Sequence, residues 1–138
     1  MKVHKEPTLE QLKSAFRSHG LEPPPEYVWL VEHRTIGFDA FTQLEPWHFC
    51  SLEEIIPLTK RWPSAGITRE LIPFAREQGS DDLACFEFVH GRTKCVHHLH
   101  YNLGPPVYVE FQKEYSTVWD WLKAVLDDVR FWFERGQR

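Results

Sequence analysis

The most restrictive feature of this sequence is a change in hydrophobic period near residue 117. Between Leu71 and Phe111, apolar and polar residues alternate in short runs, as the two faces of β-strands require. After Thr117 the apolar positions follow the i, i+3, i+4, i+7 spacing of an amphipathic helix for about four turns. Strands followed by one long helix are typical of an α+β domain, in which helices pack on a curved, mainly antiparallel sheet.

Two short helices are predicted before the strands. Thr8 and Gln11 stand three residues apart, as in a capping box, so the first helix begins there and ends at Gly20. Pro25 suits the first turn of a second helix, which we place at about residues 26–33. The two helices are close enough in the chain to pack on each other.

A third short helix is predicted from Ser51, because Ser51 and Glu54 repeat the capping-box spacing. Pro57 should limit its length, since proline has no amide hydrogen for the helical hydrogen bond.

Pro73 places the strand that contains it at a sheet edge or a strand end. A hairpin turn is predicted at residues 90–92, between two strands of the alternating block. We predict the strands over residues 71–75, 83–89, 93–101 and 107–111.

The last helix is predicted to cover the sheet with one apolar stripe. Ser116 or Thr117 caps its start. Trp119 and Phe131 lie off the stripe, so we expect their side chains to be exposed. The stripe is formed by Val118, Trp121, Leu122, Val125, Leu126, Val129, Trp132 and Phe133.

The composition fits one globular domain. The chain has 138 residues, of which 42% are hydrophobic and 26% are charged, close to the globular average. Aromatic residues reach 14%, an excess that suits either a dense core or an interaction surface. The net charge of −4 lacks the basic footprint of a nucleic-acid-binding protein.

Three features of the sequence predict a cytoplasmic protein. No run approaches the roughly 20 apolar residues that span a bilayer, so no membrane partner is expected. The basic start of the chain has no apolar stretch behind it and does not resemble a secretory signal. Three cysteines without a close CxxC pair favour reduced thiols over a disulfide framework.

A group of histidines in the predicted strand 93–101 is the sharpest candidate for chemistry. Alternation points His98 and His100 to one face and His97, with Cys95, to the other. The pair on one face could chelate zinc or copper if a third ligand came from elsewhere in the fold. The pattern equally suits a solvated face or a surface whose charge changes near neutral pH. No metal or nucleotide motif accompanies the histidines, so no cofactor is expected.

Thiols and carboxylates supply the other candidates. Cys85 and Cys95 lie mid-strand among apolar neighbours, where a cysteine acts as a small hydrophobe rather than a nucleophile. Four acidic residues near the turn before residue 83 could be a solvated turn, a divalent-cation site or a docking patch for a basic partner. These four are Glu77, Asp81, Asp82 and Glu87.

Several short segments, taken in order, match one family pattern. Residues 21–30 hold Leu-Glu-Pro-Pro-Pro-Glu-Tyr-Val-Trp-Leu, residues 71–75 hold Leu-Ile-Pro-Phe-Ala, and residues 79–86 hold Gly-Ser-Asp-Asp-Leu-Ala-Cys-Phe. With Trp-Asp-Trp-Leu at residues 119–122, they resemble the SUKH superfamily over about residues 8–128. That superfamily includes a yeast cell-wall synthesis regulator of the Smi/Knr type and many bacterial toxin-immunity proteins. Ser80 departs from the pattern, because the family has Gly followed directly by Asp.

The resemblance implies one α+β domain over residues 1–138, with residues 129–138 as a helix extension or tail. It also implies binding rather than catalysis, because the bacterial relatives bind and neutralise a toxin, often a nuclease or a deaminase. We therefore predict a non-enzymatic immunity protein whose partner is a toxin domain. Its expected contact residues are Asp81, Asp82, Glu87 and Trp119.

The sequence leaves open two alternatives to the immunity role. The first is a regulatory or scaffold domain that binds a cellular protein rather than a toxin. The second is a metal-dependent enzyme that uses His98 and His100 as ligands. A toxin encoded nearby would favour the immunity protein, and a metal that resists dialysis would favour the enzyme.

Overall fold

The computed structural model describes residues 6–38, 44, 46–80, 82–102, 106 and 108–136. This part of the chain forms four α-helices, five β-strands and one 3-10 turn at Pro63–Ala65. The helices are α1 (Leu9–Arg17), α2 (Pro25–Glu32), α3 (Leu52–Arg61) and α4 (Val118–Gly136). The strands are β1 (Trp47–Phe49), β2 (Glu70–Glu77), β3 (Leu83–Val89), β4 (Arg92–Asn102) and β5 (Tyr108–Tyr115).

The five strands form one open antiparallel sheet whose order follows the chain, β1-β2-β3-β4-β5. The predicted hairpin joins β3 to β4 through a two-residue turn, since Val89 pairs with Arg92. His90 and Gly91 in this turn have φ values of 53° and 77°, as a type I′ turn requires. The α+β fold predicted from the hydrophobic periods is confirmed.

Aromatic side chains build the main core on one face of the sheet. Phe74 of β2 and Phe86 of β3 stack with their ring centroids 3.9 Å apart. Tyr27 of α2 and Phe16 of α1 pack on these rings, and Trp121 of α4 meets Phe74 edge-on at 4.9 Å. Part of the aromatic excess therefore fixes three helices on one face of the sheet.

A smaller apolar cluster lies on the opposite face of β3 and β4. Trp62, just after α3, is buried there, and its Nε1 donates a hydrogen bond to the carbonyl oxygen of Leu71 at 2.9 Å. Leu58 brings α3 into this cluster. Its buried members are Leu58, Trp62, Leu71, Leu83, Cys85 and Leu99.

A buried charged network ties the start of α3 to β1 and β2 around Glu54. The Ser51 amide donates a hydrogen bond to Glu54 Oε1 at 3.0 Å, as the capping-box spacing predicts. Glu54 Oε2 lies 3.3 Å from Arg76 Nη1 and 3.5 Å from His48 Nε2. Burial raises the pKa of Glu54, but the hydrogen bonds with His48 and Ser51 and the nearby positive charges outweigh burial and lower this pKa to about 2.

The structure contradicts the prediction about Pro57 and agrees with the sheet-edge alternative predicted for Pro73. Pro57 lies inside α3, and the helix continues to Arg61, so the prediction that Pro57 limits the helix is wrong. The Pro57 side chain is exposed, and burial of Ile55 and Leu58 on the inner face stabilises the helix despite the lost hydrogen bond. Pro73 lies mid-strand rather than at a strand end. β1 pairs only with residues 75–77 of β2, so among the described residues Pro73 has a paired strand on one side only, as at a sheet edge.

Only the first part of α4 covers the sheet. Thr117 caps the helix, because its Oγ1 accepts a hydrogen bond from the Asp120 amide at 3.2 Å. Trp47 Nε1 of β1 donates to Asp128 Oδ2 at 2.9 Å and fixes the middle of the helix. A helix of 19 residues is about 28 Å long and extends past the surface it covers. Its later turns therefore carry exposed apolar side chains.

None of the helices in the described residues is both long and apolar enough to span a bilayer.

The prediction of one continuous buried stripe on α4 is wrong for its second half. The early stripe residues Val118, Trp121 and Val125 are buried, as predicted. Trp119 and Phe131, which lie off the stripe, are exposed, and that prediction is confirmed. The stripe residues that the structure leaves exposed are Leu126, Trp132 and Phe133, the last at 65%.

Candidate functional site

Strand β4 turns its histidines to opposite faces of the sheet, as the sequence predicts. His98 lies on the main-core face, where its ring meets the Trp47 ring edge-on at 5.4 Å. His97 lies on the other face, with its ring centroid 5.0 Å from that of Phe111 on β5. Each histidine belongs to a separate polar cluster, which we name after its central carboxylate.

The Asp82 cluster consists of Asp82, Glu77, His98 and His100. One oxygen of Asp82 lies 2.7 Å from His98 Nε2, and the other lies 2.7 Å from His100 Nδ1. Donor atoms of Glu77, Asp82 and His98 all lie within 4.8 Å of one another. Burial raises the pKa of Glu77, and the negative charges of Asp128 and Asp82 raise it further. The fold thus gives the predicted histidine pair carboxylate neighbours and a set of donor atoms that could hold a cation.

The Glu87 cluster consists of Glu87, Cys95 and His97, all buried. Glu87 Oε1 lies 2.6 Å from His97 Nε2, and Cys95 Sγ lies 3.4 Å from the same nitrogen. Burial raises the pKa of Glu87, but its hydrogen bond with His97 and the nearby positive charges outweigh burial and leave that pKa below its ordinary value. Burial raises the pKa of the Cys95 thiol to about 11.

Nucleophilic catalysis by a cysteine is not favoured by this geometry. The Cys95 thiol is protonated at neutral pH, and the imidazole nitrogen beside it is already engaged by the Glu87 carboxylate. Burial also raises the pKa values of Cys50 and Cys85 well above the ordinary thiol value. The three thiols are therefore poor nucleophiles in the folded chain.

The predicted acidic docking patch is divided by the sheet. Asp82 faces the main-core side with His98, whereas Glu87 faces the opposite side with His97. Alternation along β3 causes the division, because the two carboxylates are an odd number of residues apart. Glu87 is buried, so it does not join Asp82 in one exposed surface. Asp81, the fourth acidic residue, lies outside the described residues.

Trp119 lies in an aromatic surface together with Trp29. The two side chains, from α4 and α2, are 45% and 48% exposed, and their ring centroids lie 6.3 Å apart in an edge-to-face contact. His33 stacks on Trp29 with a centroid distance of 4.0 Å. We call Trp29, His33 and Trp119 the tryptophan surface. The sequence analysis did not select Trp29, although the helical period places it opposite the face of α2 that buries Tyr27 and Leu30.

A groove of about 550 Å³ lies at the start of α4, next to the tryptophan surface along the chain. Its walls come from the start of α2, the β3–β4 turn and the start of α4, and they include Glu22, Glu26, Arg92 and Val118. Val118 directly precedes Trp119, so the groove and the tryptophan surface share the first turn of α4. A partner at the tryptophan surface therefore has a concave region within reach.

The described residues form an α+β domain that carries two histidine–carboxylate clusters, the tryptophan surface and further exposed aromatic side chains on the later turns of α4. Comparisons with protein-family models, with curated proteins and with solved structures found no match to this chain. The resemblance to the SUKH superfamily therefore stays a prediction from the sequence. The chemistry of the described residues carries the functional argument.

Proposed function

We propose that this protein is a non-enzymatic immunity protein that binds a toxin domain at the tryptophan surface. One observation carries the proposal, namely that Trp29 and Trp119 come from separate helices and lie half exposed beside each other. Tryptophan is enriched among the residues that dominate binding at protein interfaces, and grouped exposed apolar side chains mark interaction sites. The resemblance of the sequence to the SUKH superfamily supports a toxin as the partner.

The charge around the tryptophan surface favours a partner with a basic face. Helix α2 carries Glu26 and Glu32 and no lysine or arginine. Residues 110–128, which include the start of α4, hold five acidic residues against two lysines. Complementary charge at the rim of an aromatic contact speeds association and excludes wrong partners. A basic nuclease-type surface fits this distribution.

The predicted contact residues contribute unequally in this proposal. Trp119 and Trp29 supply the central apolar contact in this proposal. Asp81 and Asp82 stay contact residues predicted from the sequence, and the Asp82 carboxylate is held by His98 and His100. Glu87 is proposed to act only indirectly, because it is buried beside His97. Charge reversal at Glu87 should therefore destabilise the fold rather than weaken binding alone.

The experiment is a comparison of three baits in a lysate of the source cell, read by mass spectrometry. The baits are the natural chain, the double variant Trp29→Ala/Trp119→Ala, and the control Ile56→Ala, which removes an exposed apolar side chain from α3. We expect one protein in near-equal amount with the natural chain and the control, and at least a roughly tenfold loss with the double variant. That protein, expressed alone, should arrest growth, and the natural chain should restore it.

Three outcomes would overturn the proposal. Equal capture by the double variant would remove the tryptophan surface as the binding site. A captured housekeeping complex with no toxicity would favour a regulatory or scaffold domain. Capture of no protein by the natural chain would remove a stable protein partner altogether.

One observation favours a second candidate, a metal-dependent enzyme centred on the Asp82 cluster. His98 and His100 meet at the Asp82 carboxylate, and Glu77 approaches the same site. A divalent ion retained through dialysis by the natural chain and lost from Asp82→Asn would support this candidate. Unchanged metal content in that variant would remove it.

A further inference from the structure

We propose that the Glu87 cluster is a zinc site that links β3 to β4, with Glu87, Cys95 and His97 as three protein ligands and water in the fourth position. The donor atoms of Glu87, Cys95 and His97 lie within 4.8 Å of one another in a buried position. Thiolate sulfur, imidazole nitrogen and carboxylate oxygen are the donor types that zinc binds in proteins. This site is separate from the tryptophan surface, and the proposal does not depend on the proposed function.

The spacing of the three donors is close to that of a tetrahedral zinc site. Zinc lies about 2.3 Å from sulfur and about 2.1 Å from nitrogen or oxygen, so tetrahedral angles separate sulfur from the other donors by about 3.6 Å. Cys95 Sγ lies 3.4 Å from His97 Nε2 and 3.8 Å from Glu87 Oε1. The 2.6 Å between Glu87 Oε1 and His97 Nε2 must widen to about 3.4 Å when zinc binds.

The sheet holds the ligands on rigid backbone. Glu87 and Cys95 are directly paired across β3 and β4, and His97 follows Cys95 by two residues, so all three side chains share one face. Ligands placed on strands keep their geometry better than ligands placed on loops. Arg69 and Phe111 lie beside the cluster, with the guanidinium 3.9 Å from Glu87 and 4.6 Å from the Phe111 ring centroid.

Charge balance also favours zinc at this position. A Cys95 thiolate and the Glu87 carboxylate together cancel the two positive charges of the ion, so the ion and its three ligands carry no net charge, and the nearby Arg69 guanidinium is half exposed to solvent. On binding, the thiol proton passes to solvent, and His97 presents the lone pair of Nε2 to the ion. Without an ion, three polar groups share a face with an apolar cluster, an arrangement that carries a desolvation cost.

The Asp82 cluster is the natural control, because it offers a histidine and carboxylates but no thiol. Asp82 and His98 are also only half-buried, so water can satisfy them without an ion. Zinc bound in the Glu87 cluster should be lost when Cys95 is replaced and retained when Asp82 is replaced. Zinc bound in the Asp82 cluster has the opposite dependence.

The test measures metal in the full chain, purified under reducing conditions and dialysed against metal-free buffer. We expect about one zinc ion per chain by inductively coupled plasma mass spectrometry. Cys95→Ser and His97→Gln should weaken zinc binding by more than about 100-fold in a competition with a chromophoric chelator, while Asp82→Asn retains it. Cobalt loaded into the natural chain should show a thiolate-to-cobalt charge-transfer band that zinc abolishes.

The cobalt spectrum keeps the proposal testable if the variants fail to fold, because it needs only the natural chain. Absence of that band, together with less than about 0.1 zinc ion per chain, would overturn the proposal. Zinc that survives Cys95→Ser but disappears in Asp82→Asn would overturn it in favour of the other cluster. The Trp29→Ala/Trp119→Ala variant should keep its zinc, so failure of the binding proposal leaves this result unaffected.

Discussion

Replacing Glu54 with glutamine should remove about 2–3 kcal/mol from the free energy of unfolding at pH 7. The pKa of Glu54 is lowered to about 2 from an ordinary value of 4.5. Each pKa unit corresponds to about 1.4 kcal/mol, so the difference sets an upper bound of about 3.4 kcal/mol. The expected loss is smaller than the bound because glutamine keeps part of the hydrogen bonding to Ser51.

The pH dependence of this loss has a definite sign. The folded-state pKa of Glu54 lies below its unfolded value, so its contribution is fully present well above pH 4.5 and is lost as the pH falls toward 2. The natural chain and Glu54→Gln should therefore differ most at pH 7. Near pH 3 the difference between them should be roughly halved.

The assay is urea unfolding followed by tryptophan fluorescence at pH 7 and pH 3. Glu53→Gln is the matched control, because Glu53 lies in the same first turn of α3 but is exposed, and its loss should stay within about 0.5 kcal/mol. A loss in Glu54→Gln no larger than in the control would refute the argument. A loss of the full size at both pH values would refute its electrostatic origin.

Three further predictions concern α4 and the hairpin, each measured as a change in unfolding free energy. Trp121→Ala should cost about 3–5 kcal/mol because the Trp121 ring is buried against Trp47 and Phe74. The control Trp132→Ala removes an exposed ring and should change the unfolding free energy by no more than about 0.5 kcal/mol. Similar losses in the two variants would contradict the packing described for α4. Thr117→Ala should cost about 1 kcal/mol through the lost cap, and no loss would contradict it. His90→Gly should stabilise the chain by roughly 0.5–1 kcal/mol, because glycine relieves the positive φ; destabilisation would contradict that reasoning.

Helix starts, the hairpin turn and the alternation along strands were predictable because residues close together in the sequence determine them. The capping pairs at Thr8 and Ser51 set the starts of α1 and α3, because both partners of each pair lie within one turn. The β3–β4 hairpin followed from two alternating runs joined by a turn that contains Gly91. Strand alternation also separated His97 from His98 correctly, since their directions depend only on position along the strand.

The candidate sites needed contacts that no local pattern contains. Asp82 meets His98 only because the register of β3 on β4 places them side by side, and the acidic run around Asp82 did not reveal which carboxylate would do so. Trp29 meets Trp119 because α2 and α4 pack on the same sheet face. The apolar stripe of α4 predicted burial throughout, but a period reports which side chains share a face and not how far the covered surface extends.

The sequential order of the five strands has a consequence for the route by which the chain folds. Every pairing in the sheet joins strands that follow one another along the chain, and the β2–β3, β3–β4 and β4–β5 pairings close short loops at little entropic cost, whereas β1 and β2 are joined through α3. The contact between Trp47 and Asp128 is different, because it closes a loop of 81 residues. We therefore expect the central hairpins to form quickly and the docking of α4 on β1 to complete folding.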